Sequence, residues 1–284
     1  MKRVFLATCA KIPNLAEDDQ ALIKPLADLG IRAQAAIWND ATVPWPEADA
    51  VIIRSCWDYH LYVDQFLDWI ASLEAAGVRV WNHPQTVRWN SNKIYLRDLV
   101  NRGIPVIPTF WPETAVHLQS KLLELGWHAA VVKPRVSATA YRTAVVTSEN
   151  ADQGQSLLDD LVMNPGAIVQ KFMENVRQGE WSLVYFAGNF SHAVIKIPKA
   201  GDFRVQEEHG GNIHAAEPPR FVLEATARAV ATIDPTPLYA RVDGVEADGR
   251  FLLMELELIE PALYVTLHCS AAARFAREIA TALG

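Results

Sequence analysis

Short apolar runs alternate with amphipathic stretches over the first part of the chain. Residues 4–8, 33–38, 50–54 and 78–81 are rich in Val, Ile, Phe and Trp and predict strands. Between them, residues 18–29, closed by Gly30, and 63–76, closed by Gly77, carry apolar positions at helical spacing. Strands alternating with helices predict a parallel sheet wrapped by helices, with ligands gathered at the carboxyl ends of the strands. Arg54, Trp57, Asp58 and Tyr59 follow such a strand. They would either bind a small substrate, or Arg54 and Asp58 would form an internal salt bridge covered by the two aromatics.

The pattern changes beyond Gly103. A helix over residues 91–102 ends there, and Pro105 and Pro108 open a second module. Residues 131–134 predict a strand that ends in Lys133. A loop of small polar residues follows, Ser137 and Thr139 among them, and residues 145–147 return as the antiparallel mate. That loop could aim backbone N–H groups at a phosphate or simply close a hairpin, and Arg135 and Arg142 beside it could cover an anion or be solvated. Further strands are expected at residues 167–172, 179–187 and 192–198. After them comes a loop rich in glycine and charge, with Arg204, His209, Gly210 and Gly211, of a kind that a ligand would order. Helices over residues 218–233 and 271–283 complete the pattern.

The candidate chemistry is concentrated near the end of the chain. Glu255 and Glu257 stand two apart in an otherwise apolar run, so on a strand they leave the same face. Two carboxylates about 4 Å apart repel by roughly 4 kcal/mol at an effective dielectric of 20, so a cation is expected between them unless they lie on the solvated face of an edge strand. Asp248 and Gly249 would turn the preceding strand, residues 238–245, back onto this one as a hairpin, which brings Asp243 beside the two glutamates. Three carboxylates suit a hard cation, most simply a magnesium ion that keeps its waters and also touches phosphate.

Composition narrows the classes. Half of the 284 residues are apolar, the formal net charge is −7, and there is no basic stripe, which speaks against nucleic acid and anionic membranes as partners. No apolar run is long enough to span a bilayer, and the N-terminus reads as a first strand rather than a leader, so a cytoplasmic protein is expected. Cys9, Cys56 and Cys269 are too few and too scattered for a disulfide framework and are expected as packed thiols. No nucleophile elbow, zinc helix or Walker loop is present.

Taken in order, these segments resemble the ATP-grasp superfamily, in particular its bacterial glutathione synthetase and D-alanine:D-alanine ligase branches. The resemblance is carried by residues 82–88 with Asn92 and Lys93, by Val132-Lys133-Pro134, by Gln170 to Met173 with Gly179 and Glu180, by Gly201 to Arg204 with Gly210 and Gly211, and by Arg241-Val-Asp243 with Glu255 and Glu257. It implies an α/β chain, α+β in the nucleotide region, with an N-terminal parallel-sheet domain at residues 1–85, a central lobe at 86–165 and a C-terminal lobe at 166–284.

The resemblance also implies roles. ATP and magnesium, with manganese as a substitute, would be the cofactors. Lys93 and Lys133 would neutralise phosphates, with Ser137 in the phosphate loop. Gln170, Lys171, Phe172 and Met173 would take the adenine, and Glu180 the ribose. Asp243, Glu255 and Glu257 would hold metal. Arg204 would stabilise the moving phosphoryl group, and Arg241 would orient a carboxylate or acyl phosphate. Gly210 and Gly211, with Arg54, Trp57, Asp58 and Tyr59, would contact substrate. Glu257 departs from the usual asparagine, and Ser137 and Thr139 stand where glycines are usual.

The N-terminal part is more similar to the small subgroup that contains the D-cycloserine-forming ligase of antibiotic biosynthesis, which implies an amino-acid-like substrate. The implied reaction is ligation of a carboxylate to an amine through an acyl phosphate, in a chain that could form homo-oligomers. A small-molecule kinase on the same scaffold and a non-catalytic nucleotide-binding protein are the alternatives.

Overall fold

The computed structural model describes residues 1–147, 150–164, 166–199 and 210–284. Its first segment runs β1 (Lys2–Thr8), α1 (Glu17–Gln20), α2 (Ile23–Asp28), β2 (Ile31–Ile37), β3 (Ala50–Ser55), α3 (Val63–Ala75) and β4 (Val80–Trp81). The strands form a parallel sheet in the order β2-β1-β3-β4. The single helix expected at residues 18–29 is two short ones. Pro25 has no N–H for the Ala21 carbonyl and its ring crowds that oxygen, so the helix must restart.

The next segment also differs from expectation. Helices α4 (Pro84–Asn90) and α5 (Tyr95–Asn101) replace the predicted helix at 91–102. Lys93 sits in the break between them, where its backbone N–H donates to the Arg135 carbonyl at 2.8 Å. Then follow β5 (Thr109–Phe110), α6 (Leu118–Leu125), β6 (Ala129–Pro134), β7 (Ala144–Thr147), α7 (Ala151–Met163) and β8 (Ala167–Lys171). They build an antiparallel sheet in the order β5-β8-β6-β7, whose apolar face packs on α6 and α7 through Leu118, Leu122, Leu158 and Leu161.

The last segment contains β9 (Glu180–Phe186), β10 (Asn189–Ile197), β11 (Asn212–Ala215), α8 (Arg220–Ala231), β12 (Tyr239–Ala247), β13 (Arg250–Glu257) and α9 (Ala271–Leu283). Its antiparallel sheet has the order β11-β10-β9-β12-β13. Helices α8 and α5 cover one part of it through Val222, Ala229, Leu96 and Leu99. Helix α9 joins the sheet to the N-terminal segment, because Phe275 and Ile279 share one apolar cluster with Leu6, Leu26, Ile52 and Phe186. No helix among the described residues is long and apolar enough to cross a membrane. Cys9 and Cys56 are packed free thiols, whereas Cys269 is free and exposed.

The hairpin β12–β13 sets the geometry of the cleft. Asp248 (φ 51°) and Gly249 (φ 69°) make the tight turn, and the register pairs Asp243 with Glu255 and Arg241 with Glu257. Between Asp243 and Gly244 the ladder slips by one residue, and Met254 is the extra one. The bulge reverses side-chain parity. Leu253 and Leu256 therefore both face the α8 core, while Met254 and Glu255 both border the cavity on the other side.

Strand β13 is an edge strand, yet it is not solvated. Asn90 accepts from the Leu258 N–H at 2.9 Å and donates to the Leu256 carbonyl at 2.8 Å, and the Tyr95 hydroxyl accepts from the Leu256 N–H at 2.9 Å. Side chains from α4 and α5 thus occupy hydrogen-bonding groups that an edge would leave open.

Gly244 is required at the bulge. A Cβ there would lie 2.3 Å from the Leu252 carbonyl oxygen and 2.5 Å from the Phe251 ring. Gly244→Ala is expected to lower stability by about 1–3 kcal/mol, as overpacking does, read as a lower urea midpoint; an unchanged midpoint would show that the hairpin absorbs the methyl without shifting.

Candidate active site

A cavity of about 480 Å³ opens between the sheet of β6 and β8 and the sheet of β9, β10, β12 and β13, with the N-terminal segment at one end. Of the expected site residues, Lys93, Lys133, Ser137, Gln170 to Met173, Glu180, Arg241, Asp243, Glu255, Glu257, Trp57 and Tyr59 border it. Arg204 and His209 lie outside the described residues. Gly210 is exposed, and neither it nor Gly211 borders the cavity.

At its centre, Glu255 Oε1 accepts from Lys133 Nζ at 2.6 Å and lies 3.4 Å from Lys93 Nζ. Lys93 also donates to the Ser137 carbonyl at 3.1 Å, which ties the small-residue loop to this cluster. Burial alone would raise the Glu255 carboxyl, but the two lysines outweigh it and hold it well below the usual carboxylate range. The same burial pulls Lys133 below the ordinary lysine value, against the attraction of Glu255.

A second cluster lies along the strands. Arg241 grips Asp243 with Nε at 3.0 Å and Nη2 at 2.9 Å, donates to the Ala262 carbonyl at 3.0 Å and pairs with Glu257. Asp243 also accepts from Ser182 and lies 3.5 Å from Lys196, which pairs in turn with Glu180. Burial opposes the Lys196 charge, yet Asp243 and Glu180 outweigh it and hold the ammonium above its ordinary value. Glu257 is different. Burial raises it, Arg241 opposes, Asp243 and Glu255 add to the rise, and it settles at about 7. Glu260 reaches about 8 through burial and the charge of Glu257.

These contacts change several expectations. The three acids are each paired with a cation, Asp243 and Glu257 sharing Arg241, and no group of three His, Cys, Asp or Glu side chains among the described residues is placed to hold a metal. Asp243 is only 3% exposed and held by Arg241, Lys196 and Ser182, so it is a structural partner rather than an open ligand. Glu255 and Glu257 remain a fitting donor pair, since their side chains are about a quarter exposed toward the cavity and magnesium is satisfied by one or two carboxylates plus phosphate and water. Glu180 borders the cavity but meets Lys196, not open space. Gln170 is buried and donates to Thr109 Oγ1 at 3.2 Å. The apolar Ile107, Val131, Val176 and Met254 complete that end of the cavity.

Arg54 fits neither reading made of it. It is fully buried, donates to Asp19 at 2.8 Å and to the Pro261 carbonyl, and lies over the Tyr239 ring. It does not border the cavity. Asp58 instead accepts from the Trp38 indole at 2.8 Å. Arg135 donates to the Ala167 and Pro112 carbonyls, Arg142 pairs with Asp160 at the surface, and neither borders the cavity.

Lys196 and Glu260 escaped the sequence reading. Lys196 had a signal of the same kind as the glutamate pair, a lone charge within a buried strand between Ile195 and Ile197. Glu260 lies just beyond the strand, where alternation no longer informs.

Comparison with known proteins agrees with this geometry. The family described as the D-cycloserine synthetase DcsG N-terminal domain matches residues 4–82. The cycloserine biosynthesis protein DcsG of Streptomyces lavendulae is 29% identical over 94% of this chain and 94% of its own. The crystal structure of D-cycloserine synthetase DcsG superposes with a TM-score of 0.89 at 28% identity, over 99% of this chain and 100% of that one. D-alanine–D-alanine ligase from Bacillus anthracis, solved with ATP, has a TM-score of 0.72 at 16% identity over 100% of this chain and 97% of that one, a likeness of fold. The chain has the ATP-grasp fold, shared with the RimK domain protein ATP-grasp of Sphaerobacter thermophilus at a TM-score of 0.73 and 18% identity over 98% of this chain and 99% of that one. Within that fold it resembles DcsG along nearly its whole length.

The pair Arg54–Asp19 supports the fold. Arg54→Met is expected to cost about 3–5 kcal/mol, because it strands a buried carboxylate, and to leave the KM for nucleotide unchanged in the protein that still folds; urea unfolding and initial rates read the two effects.

Glu257 and Glu260 generate a pH dependence. Both are raised above the ordinary 4.5, so their contribution favours folding at low pH and is lost as pH rises through about 7 and about 8. Glu255 is depressed, so its contribution is present above 4.5 and lost as pH falls below it. The Tm of the unligated protein should therefore fall between about pH 5 and 8, and Glu257→Gln should flatten that fall. An identical slope in the variant would remove the assignment.

Proposed function

We propose that the chain activates a small amino-acid-like carboxylate with ATP and passes the acyl group to an amine, releasing ADP and phosphate. The observation that carries this reading is the Glu255 carboxylate between Lys93 and Lys133. An acid there occupies the position of an anion, and a triphosphate carries more negative charge to the same lysines. Phosphate at these lysines would release Glu255, which with Glu257 would then offer carboxylate oxygens to a hard cation. Magnesium, when bound by Glu255 and Glu257, would supply neutralisation of phosphate charge.

The chain's own groups do the rest. Lys93 and Lys133 orient the phosphates, and the Ser137 carbonyl holds Lys93 in place. Arg241, fixed by Asp243 and the Ala262 carbonyl, presents its positive charge to the substrate carboxylate and then to the acyl phosphate. Ile107, Val131, Val176 and Met254 exclude water around the base. Attack of the carboxylate on the γ-phosphorus makes the acyl phosphate, and attack of the amine on the acyl carbon expels phosphate. No covalent enzyme intermediate is required. Positioning and charge supply the rate.

The test is a phosphate-release screen with ATP, magnesium and pairs of small amino acids, run beside Glu255→Gln. Release that needs both a carboxylate and an amine is expected, and the variant should lose about a hundredfold or more in turnover while binding ATP at least as well, because its lysines no longer hold an acid. A stable phosphorylated product formed without an amine would select a kinase instead. Wild-type turnover in Glu255→Gln would remove the assignment of that residue.

A further inference from the structure

We propose that Glu260 is the receptor for the ammonium group of the substrate, and that the site therefore selects free α-amino acids over carboxylic acids that lack the amine. This deepens the proposed function and rests on it for the chemistry that follows binding.

The argument starts from a charge inventory of the cavity. Five acids border it. Glu255 is matched by Lys93 and Lys133, Asp243 by Arg241 and Lys196, Glu257 by Arg241, and Glu180 by Lys196. Glu260 has no ion pair among the described residues. Glu260 is partly buried, and a carboxylate partly drawn out of water without a cation is costly, a cost that a ligand bringing the cation removes.

Position adds to the case. The chain carries Glu260 between two groups gripped by one guanidinium, since Arg241 binds both Glu257 and the Ala262 carbonyl. Residues 257–262 are thereby held as a short arch over Arg241, with Glu260 in the middle. The backbone of Glu260 is itself anchored, because the Trp57 indole donates to its carbonyl at 3.1 Å. A positive group on β12 for a carboxylate and a negative group on the segment that Arg241 holds, both bordering the cavity, match the charge pair of an α-amino acid.

The surroundings suit an ammonium as well. Trp57, Tyr59 and Tyr264 border the same cavity, and Tyr264 already lies under the Arg241 guanidinium with 5.5 Å from ring centroid to Cζ. Aromatic faces attract organic cations, and their bulk displaces the water that would otherwise compete for Glu260. The Trp57 indole bond to the Glu260 carbonyl sets this residue beside the wall of the cavity that the N-terminal segment provides.

The experiment uses the full chain with magnesium and a non-hydrolysable ATP analogue. A panel of small L- and D-α-amino acids is titrated, each beside its des-amino acid and its N-acetyl derivative, with binding read by ligand-observed NMR. The same panel is assayed for phosphate release with ATP and an amine. The wild type should prefer the free amine by about tenfold or more, as a charge-assisted hydrogen bond provides. Glu260→Gln should lose that preference through a raised KM, with nucleotide affinity unchanged, and Glu260→Asp should keep part of it.

A variant that keeps the wild-type preference would overturn the proposal, as would a wild type that binds the des-amino acids equally or binds none of the amino acids. Amine-dependent binding that Glu260→Gln abolishes, without phosphate release from any pair, would support the receptor while overturning the ligase reading. The two failures are thus separable.

Discussion

The ion cluster of Glu255 with Lys93 and Lys133 is the contact on which the rest of the molecule turns. Its three members come from three places: the break between α4 and α5, the end of β6, and the bulged strand β13. In the unligated chain the cluster holds the central sheet against the C-terminal sheet. It does so at the point where a phosphate chain would enter. Two buried ammonium groups without an acid would repel each other and lose hydration, so one carboxylate between them is the least costly arrangement that a ligand-free cavity allows.

Everything near that cluster serves to keep β13 in one register. The bulge at Met254 turns Glu255 toward the cavity without exposing Leu253 or Leu256. Asn90 and Tyr95 seal the outer edge, so the helices that flank Lys93 also fix the strand that carries Glu255. Tyr239 and Asn82 extend the arrangement to the N-terminal segment. The Tyr239 hydroxyl lies 2.8 Å from both the Ile53 and Ile259 carbonyls, which share its single proton, and Asn82 donates to the Tyr239 and Leu258 carbonyls. The segment that resembles the DcsG N-terminal domain is consequently part of the wall of the site, through Trp57 and Tyr59, and not an appendage to it.

Charge pairing explains which side chains stand out in the sequence and which of their partners do not. Lys133, Glu255 and Glu257 were visible because a charge in an apolar run is costly and needs a reason. Lys196 meets the same criterion. Asp58 is near Arg54 in sequence, whereas the actual partner Asp19 lies on α1 and the second acceptor, Pro261, is 207 residues away. The acids of the hairpin were expected to need a metal. The protein instead supplies each with an internal cation, and cations from β6 and β10 could not be placed opposite β12 and β13 before the sheets were known to face each other.

By itself, the sequence determined the alternation that makes the first sheet parallel, the Asp248-Gly249 turn that pairs Asp243 with Glu255, and the presence of buried charge on both sides of a cleft. These follow from periodicity, backbone conformational preference and the cost of burying a charge, all of which act over a few residues. The tertiary structure alone decided which cation neutralises which acid, that the edge of β13 is closed, that Arg54 is a strut, and that Glu260 stands without an internal partner among the described residues. Those outcomes depend on distances between segments far apart in the chain, and electrostatic energy at a buried site is governed by such distances rather than by residue type.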